Sequence, residues 1–96
     1  MERINVLVFE CDKECYIKEI DNTLEAMQSL VDGYIECVTM TSLDDGSDLV
    51  LVCNEEGKLK ELPYTGLMVN GDMIRGTAFI CKAKGGEFLS IDARAE

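Results

Sequence analysis

The chain has no histidine and only one proline, Pro63, among its 96 residues. Histidine is the commonest general base near neutral pH and the usual partner of a nucleophilic serine or cysteine, so the familiar triads lack their base. The sequence also has no glycine-rich phosphate loop ending in Lys-Ser or Lys-Thr, no dinucleotide fingerprint and no calcium-loop spacing. These absences predict a protein that is not an enzyme and that needs no cofactor.

Basic residues are scarce: 9 Lys and Arg stand against 19 Asp and Glu, which gives a formal net charge of −10. A negative mean surface potential repels phosphate backbones at long range, and we therefore expect no direct nucleic-acid binding. Two explanations of the charge remain open. The carboxylates form an ordinary solvated surface, or they are presented to a basic partner.

Long apolar runs are absent as well, since none approaches the roughly 20 residues that a membrane span needs. The opening Met-Glu-Arg-Ile-Asn-Val also lacks a basic segment followed by a long apolar one. We therefore expect no membrane association and a location in the cytoplasm. A length of 96 residues with 47% hydrophobic and 29% charged residues predicts a single globular domain, 1–96, that folds alone or as a small oligomer.

Five cysteines form an odd set that does not suit a secreted disulfide framework: Cys11, Cys15, Cys37, Cys53 and Cys81. A zinc site would require a second close pair or histidines. The last three lie in strand-like segments and are predicted to be buried, reduced thiols. Cys11 and Cys15 flank a polar turn, so they should react first with alkylating agents, and a labile disulfide between them is an open alternative.

Most of the chain has the hydrophobic pattern of short strands separated by turns. The predicted strands cover residues 4–9, 15–20, 34–41, 49–53, 67–69, 73–74, 76–81 and 88–91. Residues 4–9 and 15–20 are expected to pair, as are 34–41 and 49–53, and Asn70-Gly71 is a strong type I′ hairpin signal. Segment 34–41 has no cleanly polar face, which predicts a central position in the sheet. The tail from residue 92 is expected to fray.

One helix is predicted between the second and third strands. Asn22 and Glu25 have the spacing of a capping box, and Gly33 suits a left-handed C-cap. Leu24, Met27 and Val31 form an apolar stripe that should pack on the sheet. The predicted class is α+β, with an antiparallel or mixed, strongly curled β-sheet and one amphipathic helix packed on a face.

A few residues offer chemistry for binding a partner or ligand. Tyr34 offers a stacking face, Asn54 an amide, and Lys58 and Arg75 positive charge in an acidic chain. The full candidate set is Tyr34, Glu36, Asn54, Glu55, Glu56, Lys58 and Arg75. Each also has a structural explanation as a strand residue, a turn former or an ion-pair partner.

Several short stretches resemble a family of small domains found in phage and other mobile-element genomes, catalogued as a domain of unknown function under the number 3846. The matching stretches are Glu19-Ile-Asp21, Thr23-Leu-Glu-Ala26, Gly33-Tyr-Ile-Glu36, Asn54-Glu-Glu-Gly-Lys58, Leu62-Pro63 and Ile74-Arg-Gly-Thr-Ala78. The resemblance implies a phage, plasmid or prophage setting and no established activity. It assigns no catalytic or binding residue.

The leading functional hypothesis is a non-enzymatic binding protein of a mobile element that engages a host or element protein, with modulation of host defence as one such role. A small-molecule binding domain, with a nucleotide as one candidate ligand, is the first alternative. It would use Tyr34, Asn54, Lys58 and Arg75 around a pocket. A structural or assembly role through pairing of sheet edges, including a homo-oligomer, is the second alternative.

Overall fold

The computed structural model describes residues 2–57 and 59–91. Eight strands and one helix follow one another along the chain: β1 Arg3–Phe9, β2 Tyr16–Asp21, α1 Leu24–Val31, β3 Ile35–Ser42, β4 Asp48–Asn54, β5 Tyr64–Val69, β6 Asp72–Arg75, β7 Ala78–Lys84 and β8 Glu87–Leu89. The eight strands correspond to the eight predicted segments, with ends that differ from the predicted ones by at most three residues.

Six of these strands form one sheet in the order β2-β1-β7-β4-β3, with β8 beside β7, while β5 and β6 form a separate two-stranded hairpin. All strand pairs are antiparallel. The predicted pairings of β1 with β2 and of β3 with β4 are confirmed. Short turns connect the antiparallel pairs β3–β4, β5–β6 and β7–β8, whereas a parallel pair would need a long crossover connection.

The predicted fold class is wrong. Strands account for 54% and helix for 9% of the described residues, and the sheet is not strongly curled, so the α+β class fits only weakly. The helix has only eight residues and covers part of one face. The opposite face is covered by the β5–β6 hairpin, and the sheet therefore buries both faces without closing on itself.

Two apolar clusters lie on opposite faces of the sheet, and β4 contributes to both. Val50 and Val52 pack with Met27 and Val31 of the helix on one side. Leu51 and Cys53 pack with the hairpin on the other side. Burial on both faces explains why β4 is the most continuous apolar run in the sequence.

The helix differs from the prediction at both ends and along its stripe. Thr23, not Asn22, is the N-cap, and its hydroxyl accepts a hydrogen bond from the backbone N–H of Ala26. The Asn22 amide instead donates to the carbonyl of Phe88. Asp32, with φ 62°, takes the left-handed C-cap position predicted for Gly33.

The apolar stripe predicted for the helix is only partly buried. Met27 and Val31 are buried, whereas Leu24 is 55% exposed.

The Asn70-Gly71 prediction is confirmed, since the two residues join β5 to β6 with φ values of 53° and 82°. Positive φ at both central positions is the requirement of a type I′ turn.

The prediction for β3 is wrong, because this strand lies at the edge of the sheet and not in its centre. Cys37 on β3 is accordingly exposed, contrary to its predicted burial.

Candidate functional site

A cleft of about 470 Å³ opens between the sheet and the β5–β6 hairpin. We call it the hairpin cleft. Its walls come from β3, β4, the loop after β4, and the hairpin: Glu36, Val38, Cys53, Asn54, Glu55, Gly57, Leu59, Val69, Asn70, Asp72, Met73, Ile74 and Arg75. The volume lies within the range of small-ligand and peptide-anchor sites, about 300–1,000 Å³.

The loop after β4 is held against both the sheet and the hairpin. The backbone N–H of Glu55 donates to the carbonyl of Tyr34 at 2.9 Å. Gly57 is buried, and a Cβ there would come within 2.7 Å of the carbonyl oxygen of Arg75. Only glycine permits this approach of the loop to β6 without displacement. The cleft therefore has a wall fixed by backbone contacts.

Asn54 is the structural anchor of that wall. It is buried, and its Nδ2 donates to the carbonyl oxygens of Val31 and Asp32 at 3.1 Å each. Its Oδ1 accepts a hydrogen bond from the backbone N–H of Glu56 at 2.7 Å. The side chain thus satisfies carbonyls at the helix C-terminus and shapes the following turn. Both N–H donors of the Asn54 amide are therefore occupied within the fold and are not available to bind a ligand.

Negative charge dominates the described walls of the cleft. Glu36, Glu55 and Asp72 supply three carboxylates, whereas Arg75 supplies one guanidinium. The Arg75 Nη1 also donates to the carbonyl of Leu62 at 3.2 Å, so part of its hydrogen-bonding capacity is directed to the fold. The described surface of the cleft is therefore suited to a cationic group rather than to a phosphate.

The thiol of Cys53 lies at the wall of the cleft, and its pKa is raised by burial and by the nearby negative charge. Desolvation, followed by the negative charge of Glu36 and smaller contributions from Cys37 and Asp72, raises the pKa of Cys53 to about 11. The thiol also donates to the carbonyl oxygen of Glu36 at 3.7 Å. Cys53 is consequently a neutral, protonated side chain near pH 7 and a poor nucleophile.

Apolar side chains complement the carboxylates. Val69 and Ile74 are buried in the cluster beneath the hairpin. The side chains of Leu59 and Met73 are exposed, Leu59 to 84% and Met73 to 39%. Adjacent carboxylates and exposed apolar groups can bind a partner that has both positive charge and apolar surface.

The structure brings some of the sequence-predicted site residues together. Glu36, Asn54, Glu55 and Arg75 line the cleft. Tyr34 is 66% exposed and does not line it, although its carbonyl is bonded to Glu55. Arg75 is the one residue of that set that lies on the β5–β6 hairpin. The other hairpin residues of the lining were not predicted, because Asn70-Gly71 predicts a turn but not the direction in which the hairpin folds back.

Two further candidates do not contribute described side chains to the cleft. Glu56 is outside the lining, and its carboxylate forms an ion pair with Lys60 at 3.5 Å. Lys58 lies outside the described residues.

The cysteines divide by burial. Cys53 and Cys81 are buried, as predicted, and desolvation is the main cause that raises the pKa of Cys81 to about 12. Cys15 is exposed and Cys11 is partly exposed. Across residues 2–57 and 59–91, no three Cys, Asp or Glu side chains are grouped as metal ligands. The only described helix, α1, has eight residues, too few to cross a bilayer.

Comparison with known proteins gives one result. No curated protein and no solved structure matches this chain. The family model described as a domain of unknown function, DUF3846, matches residues 4–95. The match covers nearly the whole sequence and confirms the family that the sequence resembles. The chain therefore belongs to the DUF3846 family.

Proposed function

We propose that this protein is a non-catalytic binding protein that engages a partner protein through the hairpin cleft. The setting that belongs to this proposal is the host-cell cytoplasm, with a phage or another mobile element as the source of the gene. The partner is a host or element protein, and a component of host defence is one candidate.

The observation that carries the proposal is the combination of charge and apolar surface in one fixed cleft. Glu36 and Glu55 present carboxylates beside the exposed side chains of Leu59 and Met73. A net charge of −10 would steer a basic partner towards the protein, and the apolar rim would hold it after encounter. A phosphate-bearing ligand is disfavoured by the same field.

Affinity capture from the natural host tests this proposal. The bait is the wild-type protein, compared with a Glu36→Lys/Glu55→Lys variant. A Glu14→Lys/Glu87→Lys variant is the matched control, because it changes net charge equally at exposed positions outside the cleft. The proposal expects a protein that wild type and control retain in equal amounts and that the cleft variant loses. A partner retained equally by all three baits would contradict a role for the cleft.

A small-molecule ligand is the second candidate, and the cleft volume of about 470 Å³ favours it. Its binding would depend on Arg75 and would be nearly indifferent to charge reversal at Glu55. Native mass spectrometry of protein purified from its host checks this alternative. A bound metabolite that Arg75→Ala releases would replace the protein-partner proposal, whereas an unliganded mass would count against the alternative.

A further inference from the structure

One edge of the sheet lies directly beside the hairpin cleft. The carbonyl of Tyr34 accepts a hydrogen bond from the N–H of Glu55, and the register then pairs Glu36 with Cys53 and Val38 with Leu51. Backbone groups alternate in direction along an antiparallel strand. Residues 36 and 38 therefore point their N–H and C=O groups towards β4, whereas residues 35, 37 and 39 point theirs away from the sheet.

This outer side of β3 is open in the part of the chain that the structure describes, because β4 is the only described strand that pairs with β3. The regular register runs from Ile35 to Thr39 and is interrupted by a bulge before Thr41. An edge of this kind presents unpaired backbone donors and acceptors that can form a ladder with another extended chain. The usable ladder covers residues 35–39.

The side chains beside this edge connect it to the cleft. Glu36 and Val38 lie on the face of β3 that is turned towards the hairpin, and both line the cleft. A strand added to β3 would run about 4.8 Å away, and every second side chain would point to the same face. Those side chains would lie beside the carboxylate of Glu36, at the cleft that Glu55 and the exposed Met73 also line.

We propose that β3 binds an extended segment of a partner protein by antiparallel strand addition, with Lys or Arg alternating with apolar residues along the segment. This inference deepens the proposed function and rests on it. The backbone ladder supplies affinity that is independent of sequence, and the carboxylates of Glu36 and Glu55 select positive charge at alternate positions. A second copy of the chain is a poor occupant, because each copy has a net charge of −10 and each edge would present Glu36.

A backbone-specific variant separates strand addition from simple charge attraction. Cys37→Pro removes an N–H that faces away from β4, so it spares the β3–β4 ladder, and proline is tolerated at such edge positions. Cys37→Ala keeps the N–H and removes the same thiol, and is the matched control. The probe is a set of synthetic peptides of about ten residues that alternate Lys with Val, paired with peptides that alternate Glu with Val. Fluorescence anisotropy of labelled peptides measures binding.

The Lys-Val peptides should bind wild type and Cys37→Ala equally and the Glu-Val peptides should not. Cys37→Pro should weaken the Lys-Val complex by about tenfold, since a ladder hydrogen bond is lost and the proline ring obstructs the approaching strand. N-methylation of alternate peptide amides should have a similar effect, and this readout does not depend on the folding of a variant. If the wild-type protein self-associates and Cys37→Pro abolishes this self-association, the strand that binds β3 comes from a second copy of the chain. That result would overturn the choice of a partner protein as the occupant.

Equal binding of methylated and unmethylated peptides, or no binding of the Lys-Val set, would overturn strand addition. The proposed function fails differently. If the captured partner is lost on Glu36→Lys/Glu55→Lys but unaffected by Cys37→Pro, the cleft binds a partner without adding a strand. If capture is indifferent to both changes, the proposed function itself is wrong.

Discussion

Replacement of Asn54 tests whether the wall of the cleft is built as the structure indicates. Asn54→Ala removes three hydrogen bonds, to the carbonyls of Val31 and Asp32 and from the N–H of Glu56. With a net contribution of about 0.5–1.5 kcal/mol for each bond, and added cost for carbonyls left without a partner, the free energy of unfolding should fall by about 2–4 kcal/mol. Urea denaturation followed by circular dichroism measures this change.

The isosteric change Asn54→Asp adds a pH dependence with a defined sign. The new carboxylate would face the carbonyl oxygens of Val31 and Asp32, so the folded state disfavours its charged form and raises its pKa above the unfolded value of about 3.9. Between those two pKa values the folded state binds more protons than the unfolded state, and stability then falls as pH rises. The variant should be least destabilised relative to wild type below about pH 4. Its loss of unfolding free energy should grow as the pH rises and become constant above the pKa of the folded state.

Asn70→Asp is the control for this experiment, because Asp is also accepted at that position of a type I′ turn. It makes the same chemical change at an exposed position, so its loss of unfolding free energy relative to wild type should be small and nearly independent of pH. An Asn54→Ala deficit below about 0.5 kcal/mol, typical of a surface substitution, would refute the anchoring role. A deficit of Asn54→Asp that shrinks as pH rises would refute the proposed contact with the carbonyls.

Two other predictions follow from burial. Met27→Ala should reduce the free energy of unfolding by about 2–5 kcal/mol, the usual range for a large-to-small change in a core, because Met27 is only 2% exposed. Leu24→Ala, at a position 55% exposed, should cost less than about 1 kcal/mol, and equal costs in urea denaturation would contradict the assigned helix face. Cys15 should be alkylated much faster than Cys53 and Cys81 at pH 8, since the buried thiols have pKa values of about 11 and about 12. Mass-spectrometric peptide mapping over time checks the order, and early modification of Cys81 would contradict it.

Local sequence patterns predicted the strands well, because alternation and turn residues act over a few neighbours. The Asn70-Gly71 turn and the apolar run of β4 are examples, and both are present in the structure. Asn54 was predicted as a turn former; in the structure it is the last residue of β4, and its Oδ1 accepts a hydrogen bond from the N–H of Glu56 in the following turn. Its contacts with the helix C-terminus depend on a chain segment more than 20 residues away and are not visible in local pattern.

The errors arose where tertiary position overrides local preference. Asn22 has good capping chemistry, but its amide is engaged by the carbonyl of Phe88, and Thr23 becomes the cap. β3 has apolar residues on both faces because the helix and the hairpin each cover one face, although no described strand pairs with its outer side. The same fold-back of the hairpin creates the cleft, which no local signal in residues 64–75 predicts.

Association kinetics with a captured partner provide the most direct test of the central claim that the hairpin cleft binds a protein with positive charge. Surface plasmon resonance would compare wild type, Glu36→Lys/Glu55→Lys and Glu14→Lys/Glu87→Lys at low and at physiological salt, where screening acts over roughly 8–10 Å. We predict that the cleft variant associates more slowly than the control variant, dissociates faster, and loses most of the salt dependence. Equal rates and equal salt dependence for the two variants would show that only net charge matters, and would contradict binding at the cleft.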